Sequence, residues 1–222
     1  MYETCPMETP MTFEDINDDS LPDRIAERLR HPRTPPRISS PVASRLSYGR
    51  HRGPPGHNAR PAAVTILFYP IHGRWHIPFT LRPEHLHDHG GQVSLPGGRL
   101  EDGETFVEAA CRELHEEIDV AASQIEILGS LSPTYVFASN YRVDPIVACA
   151  RTQPPFRPDP LEVVEIIELP VDHMLDPAHY GRHEVRRGGI RFTAPHIAFR
   201  SHRIWGATHL ILGEMIAVLN DL

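Results

Sequence analysis

The stretch "LPGGRLEDGETFVEAACRELHEEIDV", Leu95 to Val120, decides the fold. Its first part carries a proline and the glycine pair Gly97–Gly98; its second part has the apolar period of a helix over roughly Glu104 to Ile118. Val107, Ala110, Cys111, Leu114 and Ile118 share one face of that helix, which makes Cys111 a core residue rather than a nucleophile. Glu113, Glu116 and Glu117 are three and four residues apart, and the spacing predicts that they sit together away from the apolar face. Like-charge pairs at such spacings each cost about 0.2–0.5 kcal/mol. A solvated acidic face, partly neutralised by Arg112 pairing with Glu108 or Glu116, is the plain alternative. Two features favour a bound cation instead. The charges fall late in the helix, where the macrodipole disfavours anions, and bare glycine backbone precedes them. Clustered carboxylates with a backbone carbonyl suit magnesium, which takes oxygen ligands and keeps waters, and suit zinc poorly. Such an ion neutralises a diphosphate and acidifies a bound water, while a free carboxylate accepts the proton. The expected chemistry is hydrolysis of a phosphoryl ester.

Outward from this stretch, "AAVTILFY" (Ala62–Tyr69) and "RWHIPFTLR" (Arg74–Arg82) read as a hairpin around "PIHG". Strands are expected at Ile125–Ser132, Tyr141–Ala150 and Glu162–Pro170, with edge strands in Ile190–Phe199. A final helix is expected at about Ala207 to Asn220, with an apolar stripe through Leu210, Ile211, Met215, Val218 and Leu219. Short strands and separated helices indicate an α+β class in which a mixed sheet is sandwiched between helices. Before residue 62 the chain is acidic and then rich in proline and arginine, from His31 to Pro61. Proline removes ladder donors and breaks helices, so residues 1–61 are expected to be a largely disordered arm, with one short helix near Pro22–Leu29, and residues 62–222 the folded domain.

The 222 residues accommodate one domain with a real core. A net charge of −7 argues against holding long nucleic acids, so any anionic ligand needs local cations. Cys5, Cys111 and Cys149 form no CxxC pair, which disfavours disulfides and structural zinc. With no apolar run of membrane-spanning length and a polar start, the expectation is a cytoplasmic protein that touches neither membrane nor nucleic acid, as monomer or homodimer.

The residues from Gly98 to Val120 resemble the Nudix box: glycine, five residues, Glu, seven residues, then Arg-Glu-apolar-any-Glu-Glu-any-Gly-apolar. Gly98, Glu104, Arg112, Glu113, Leu114, Glu116, Glu117 and Val120 fall in register, and Asp119 replaces the glycine that caps the helix in a left-handed conformation. The resemblance implies the Nudix fold over residues 62–222. It implies Mg2+ or Mn2+ held by Glu116 and Glu117, with Glu113 as a further ligand or the water-activating base and the Gly97 carbonyl as a ligand. Arg112 would orient Glu113, and Glu104 would tie loop to helix. Glu162, in "PDPLEVVEIIELP", is similar to the family's additional carboxylate, while Glu165 and Glu168 read as exposed strand residues.

A second motif, "LRPEHLHDHGGQVSLPGG" (Leu81–Gly98), resembles the signature of the coenzyme A pyrophosphatase branch, with Pro83 in place of its usual serine. It implies that the substrate is coenzyme A or a derivative, cleaved at the diphosphate into 4'-phosphopantetheine and adenosine 3',5'-bisphosphate. Arg82, His89 and Gln92 become candidate substrate contacts, since cationic and imidazole donors bind anionic oxygens. The HxHxH string His85, His87, His89 has no accompanying ligand pattern and reads as incidental. "RIWGATHLILGEMI" resembles the branch's C-terminal helix, with Trp205 expected in the core. The alternatives are a hydrolase of another nucleoside diphosphate derivative, such as ADP-ribose, NADH or a nucleoside triphosphate, and a non-catalytic nucleotide-binding module of the same fold.

Overall fold

The computed structural model describes residues 16–31, 58–85, 90–187 and 189–222. Cys5, residues 32–57 of the proline- and arginine-rich stretch, and residues 86–89, His89 among them, lie outside the described residues. A long strand β1 (Arg60–Ile71) organises the rest. Its end and β2 (Arg74–Leu81) form an antiparallel hairpin in the register Ile71↔Arg74, closed by His72 and Gly73, both at positive φ. That is the backbone sense a two-residue hairpin turn requires.

Along Arg60–Phe68, β1 runs parallel to β7 (Tyr141–Cys149). On its other edge it pairs first with β4 (Gly97–Arg99), through Ala62–Val64, and only at Tyr69 with β2. Strand β2 then takes β3 (Val93–Ser94) and β8 (Glu165–Pro170) as partners, while β5 (Glu126–Ser130) and β6 (Thr134–Val136) pair with β7. The change of partner along β1 sets the Gly97–Gly98 backbone in the sheet beside the first half of β1.

Side chains alternate across the pleat and so feed two layers. Ala63, Leu67 and Tyr69 pack with Ile146 and Ala148 of β7 under helix α2 (Phe106–Ile118), which supplies Ala109, Ala110, Leu114 and Ile118. Ile66, Phe68, Val147 and Cys149 face the opposite layer. There they meet Leu21 and Ile25 of α1 (Leu21–Arg30) and the last helix. After the short α3 (Val171–Leu175), strands β9 (Tyr180–Arg187), β10 (Ile190–Phe199) and β11 (His202–Trp205) form a second antiparallel sheet, and α4 (Gly206–Asn220) follows. A mixed sheet between helices is the architecture the sequence led us to expect.

Five expectations change. Cys111, expected in the core, is only half-buried. Helix α1 buries Leu21 and Ile25 completely, so part of the supposed arm is a core element, because an amphipathic turn gains more by packing than by solvation. Strand β10 lies in the centre of its sheet rather than at an edge. Val107 is 39% exposed; Ala109 takes the inward position instead. Trp205 is only half-buried and meets His183 edge-on, because it sits where β11 ends and α4 begins. Among the described residues no helix is long and apolar enough to cross a membrane.

Candidate functional site

Helix α2 begins with a capping box: Thr105 accepts from Glu108 N–H, and the Glu108 carboxylate accepts from Thr105 N–H at 2.8 Å. The pattern Thr-x-x-Glu is visible in the sequence and was a signal for the true start at Phe106. It also removes Glu108 as a partner for Arg112. The helix ends at Asp119 in the left-handed conformation, φ 60°, ψ 40°, as its place in the box implied.

The glycine pair permits a close approach. A Cβ on Gly97, whose φ is 151°, would lie 2.3 Å from the Ala63 carbonyl oxygen; one on Gly98 would lie 2.4 Å from Glu113 Oε1. Only bare backbone fits between β1 and the acidic helix. Above it, Arg112 is the hub. Its Nε donates to Glu104 Oε1 at 2.7 Å and its Nη2 to Glu104 Oε2 at 3.0 Å and the Arg99 carbonyl at 2.9 Å. Its Nη1 donates to Glu113 Oε1 at 2.8 Å and Glu116 Oε2 at 2.9 Å. The fork holds loop, strand and helix together and ties Glu113 and Glu116 to one cation. Arg112 and the Glu101 N–H hold the Glu104 carboxyl below its usual range, so it stays ionised. Burial pushes Glu113 up, against the pull of Arg112.

Glu117 departs from the expected shared acidic face. It is 2% exposed and is buried along with Ala110, Leu114 and Ile118 of the same helix. Seven residues of helix turn about 700°, so Glu117 projects within about 20° of the buried Ala110. Burial, more than the neighbouring Glu113 and Glu162, raises its pKa to about 8, against Arg82 and a hydrogen bond from Gly97 N–H. Arg82 Nη1 stands 3.5 Å from Glu117 Oε1, and Glu117 Oε2 has no hydrogen-bond partner among the described residues. A buried carboxylate oxygen without a partner costs about 1–3 kcal/mol or more, so the orphan atom asks for a ligand.

The other named residues fall as follows. Arg82 exchanges main-chain hydrogen bonds with Gly91 and Gln92, at 3.0 and 3.1 Å, so Gln92 is beside it. Glu162 is exposed on the loop that follows β7, close enough for its charge to act on both Glu113 and Glu117. Asp159, unnoticed in the sequence, anchors that loop by donating its N–H to the Glu117 carbonyl at 2.9 Å. Glu165 and Glu168 are half-buried rather than exposed: Glu165 faces His202, and Glu168 accepts from the Tyr69 hydroxyl at 2.9 Å.

Among the described residues no three His, Cys, Asp or Glu side chains converge into a finished metal cage. A hard dication that keeps most of its waters needs no such cage. The donors present fit it: every candidate is oxygen, and the orphaned Glu117 Oε2 lacks only a positive partner. Glu116, Glu117, Glu113, the Gly97 carbonyl and Glu162 are the groups that could hold the ion.

The NUDIX domain family matches residues 59–187, more than half of the chain. The chain is 34% identical over 137 residues to the Nudix hydrolase NudL of Yersinia pestis (strain Pestoides F), covering 61% of this chain and 68% of that one. The same identity and coverage hold for NudL of Yersinia pseudotuberculosis serotype O:1b, and both relatives are described as uncharacterized. A Nudix hydrolase of M. smegmatis, RenU, superposes with a TM-score of 0.45 at 23% identity, over 52% of this chain and 73% of that structure. On the family match and the NudL relationship, the chain belongs to the Nudix hydrolase family.

Proposed function

We propose that the protein is a Mg2+- or Mn2+-dependent pyrophosphohydrolase of coenzyme A or its derivatives, releasing 4'-phosphopantetheine and adenosine 3',5'-bisphosphate. Its family makes a nucleoside diphosphate derivative the substrate class. The narrower reading is supported by one observation above all: the segment that resembles the coenzyme A signature abuts the acidic helix. Arg82 faces Glu117 at 3.5 Å, and Gln92 hydrogen-bonds to the Arg82 main chain. A cation beside the carboxylates can draw an anionic diphosphate against them.

When bound by Glu116, Glu117, Glu113, the Gly97 carbonyl and Glu162, the divalent ion would supply charge neutralisation and an acidified water. Arg112 holds Glu113 and Glu116 in place through Nη1, and Glu104 holds Arg112. Glu113, whose pKa burial raises against the pull of Arg112, is thereby made a better proton acceptor than an exposed carboxylate. Incubation of the purified protein with coenzyme A and Mg2+, followed by mass identification of products, tests the reading. Both named products are expected, and Glu116→Gln should remove most of their release. Turnover of ADP-ribose or NADH with coenzyme A untouched would overturn the substrate and leave the family chemistry standing.

A further inference from the structure

After β7 the chain runs through "RPDPLEVV", Arg157 to Val164, before β8. This turn is fastened at both ends to the site. Arg157 N–H donates to the Ile118 carbonyl at 3.1 Å, Asp159 N–H to the Glu117 carbonyl at 2.9 Å, and Val164 N–H to the Leu81 carbonyl at 2.8 Å. Internally, the Asp159 carbonyl accepts from Glu162 and Val163, and its Oδ1 accepts from Leu161 N–H at 2.9 Å. Val163 points inward and is buried.

The ordered turn nevertheless holds two branched aliphatic side chains in water, Leu161 at 75% and Val164 at 62% exposure. Scattered exposed apolar residues are ordinary. These two bracket Glu162, whose charge reaches Glu113 and Glu117, and Val164 is bonded to the residue preceding Arg82. An apolar shelf beside one arginine and a carboxylate cluster complements a ligand that is anionic at a diphosphate and uncharged and aliphatic beyond it. A polyhydroxylated sugar would gain little from such a shelf; a long aliphatic amide arm would bury it.

We propose that Leu161 and Val164 seat the aliphatic arm of the substrate and select armed diphosphates over nucleotide sugars. This inference rests on the coenzyme A reading. The test is steady-state kinetics of the full chain carrying L161S/V164S, with coenzyme A as substrate and ADP-ribose as second substrate or competitive inhibitor. The KM for coenzyme A should rise about tenfold with kcat within about twofold, the signature of lost binding common to ground and transition states. The constant for ADP-ribose should not move, the solution mass should stay as in the wild type, and L161M/V164I should keep the wild-type KM.

An unchanged KM for coenzyme A overturns the proposal. So does an equal loss for both ligands, which would mean a disturbed loop, or a changed solution mass at unchanged KM, which would mean that a second copy covers the shelf. A wild type that cleaves ADP-ribose and leaves coenzyme A intact removes the substrate reading and this inference with it. That outcome is distinct from a wild type and double variant that cleave coenzyme A alike, which removes the inference alone.

Discussion

Two buried side chains, one in each layer of the molecule, end in a polar atom without a hydrogen-bond partner among the described residues: Glu117 Oε2 beneath α2 and His209 Nε2 on α4. Their surroundings are opposite. Glu117 meets Glu113 and Glu162 but also Arg82 and Gly97 N–H, and burial raises its pKa to about 8. His209 lies near His196 and Arg182, and burial lowers its pKa to about 4. Burial thus favours the neutral form of each. One borders bare backbone, an arginine and the Asp159 turn, while the other sits on a helix buried almost all round. The same desolvation cost falls on a carboxylate of the proposed site in the first case and on a pH-sensitive part of the core in the second.

The largest expected effect separates the two by activity. Glu117→Gln keeps the shape and removes the ability to ionise and hold a cation, so kcat on whichever diphosphate substrate is turned over should fall by roughly a thousandfold or more. The same variant should be at least as stable as the wild type without metal above pH 7. A group whose folded pKa is raised contributes full stability below its unfolded value, 4.5, and loses it as pH climbs toward 8. A wild-type rate in Glu117→Gln would make the orphan oxygen a packing accident and erase the contrast.

Metal should sharpen it next. At about a hundred times its Kd, Mg2+ should stabilise the wild type by about 2–3 kcal/mol, read as a rise in Tm by differential scanning calorimetry. Glu117→Gln should lose most of that rise, and a His209 variant should retain it.

Much of this was legible in advance and some was not, for definite reasons. The hairpin, β7 and α2 stood out because apolar runs with clear periods have one way to bury themselves. The glycine pair stood out as bare backbone just before the acidic helix, and the role of Arg112 toward Glu113 came from the box resemblance, since spacing offered only Glu108 or Glu116 as its partners. Strand β9, "YGRHEVRR", carries no apolar run and is held by its pairing with β10, so nothing local announced it. The burial of Glu117 was missed because three- and four-residue spacings group the carboxylates without fixing where the sheet touches the helix. Val164 falls inside the strand expected at Glu162–Pro170 and nothing in the sequence singles out Leu161; their exposure shows only once the Asp159 turn is in place.

A smaller effect tests the other buried group. The folded pKa of His209 is depressed, so the stability it contributes is present above the unfolded value, 6.5, and is lost as pH falls toward 4. His209→Leu should resist acid better, with a relative gain of about 2 kcal/mol between pH 7 and pH 4.5 in urea unfolding. Its kcat at pH 7 should match the wild type. A parallel acid profile for the two proteins would mean that His209 is already satisfied.

The smallest effect lies on the site side, at Asp119. Its backbone is left-handed, where a side chain costs of order 1 kcal/mol and glycine nothing. Against this, Asp119 faces Arg157 at 3.7 Å and His115 at 3.6 Å, all substantially exposed, and such pairs are worth about 0–1 kcal/mol. Glycine also adds freedom to the unfolded chain. Asp119→Gly should therefore stabilise by only about 0.5 kcal/mol in urea unfolding, with kcat unchanged, because no Asp119 atom joins the Arg112 hub. If Asp119→Gly instead lowered kcat several-fold, the pairing with Arg157 would be what steadies the Asp159 turn against Glu117, and the helix cap would belong to the site.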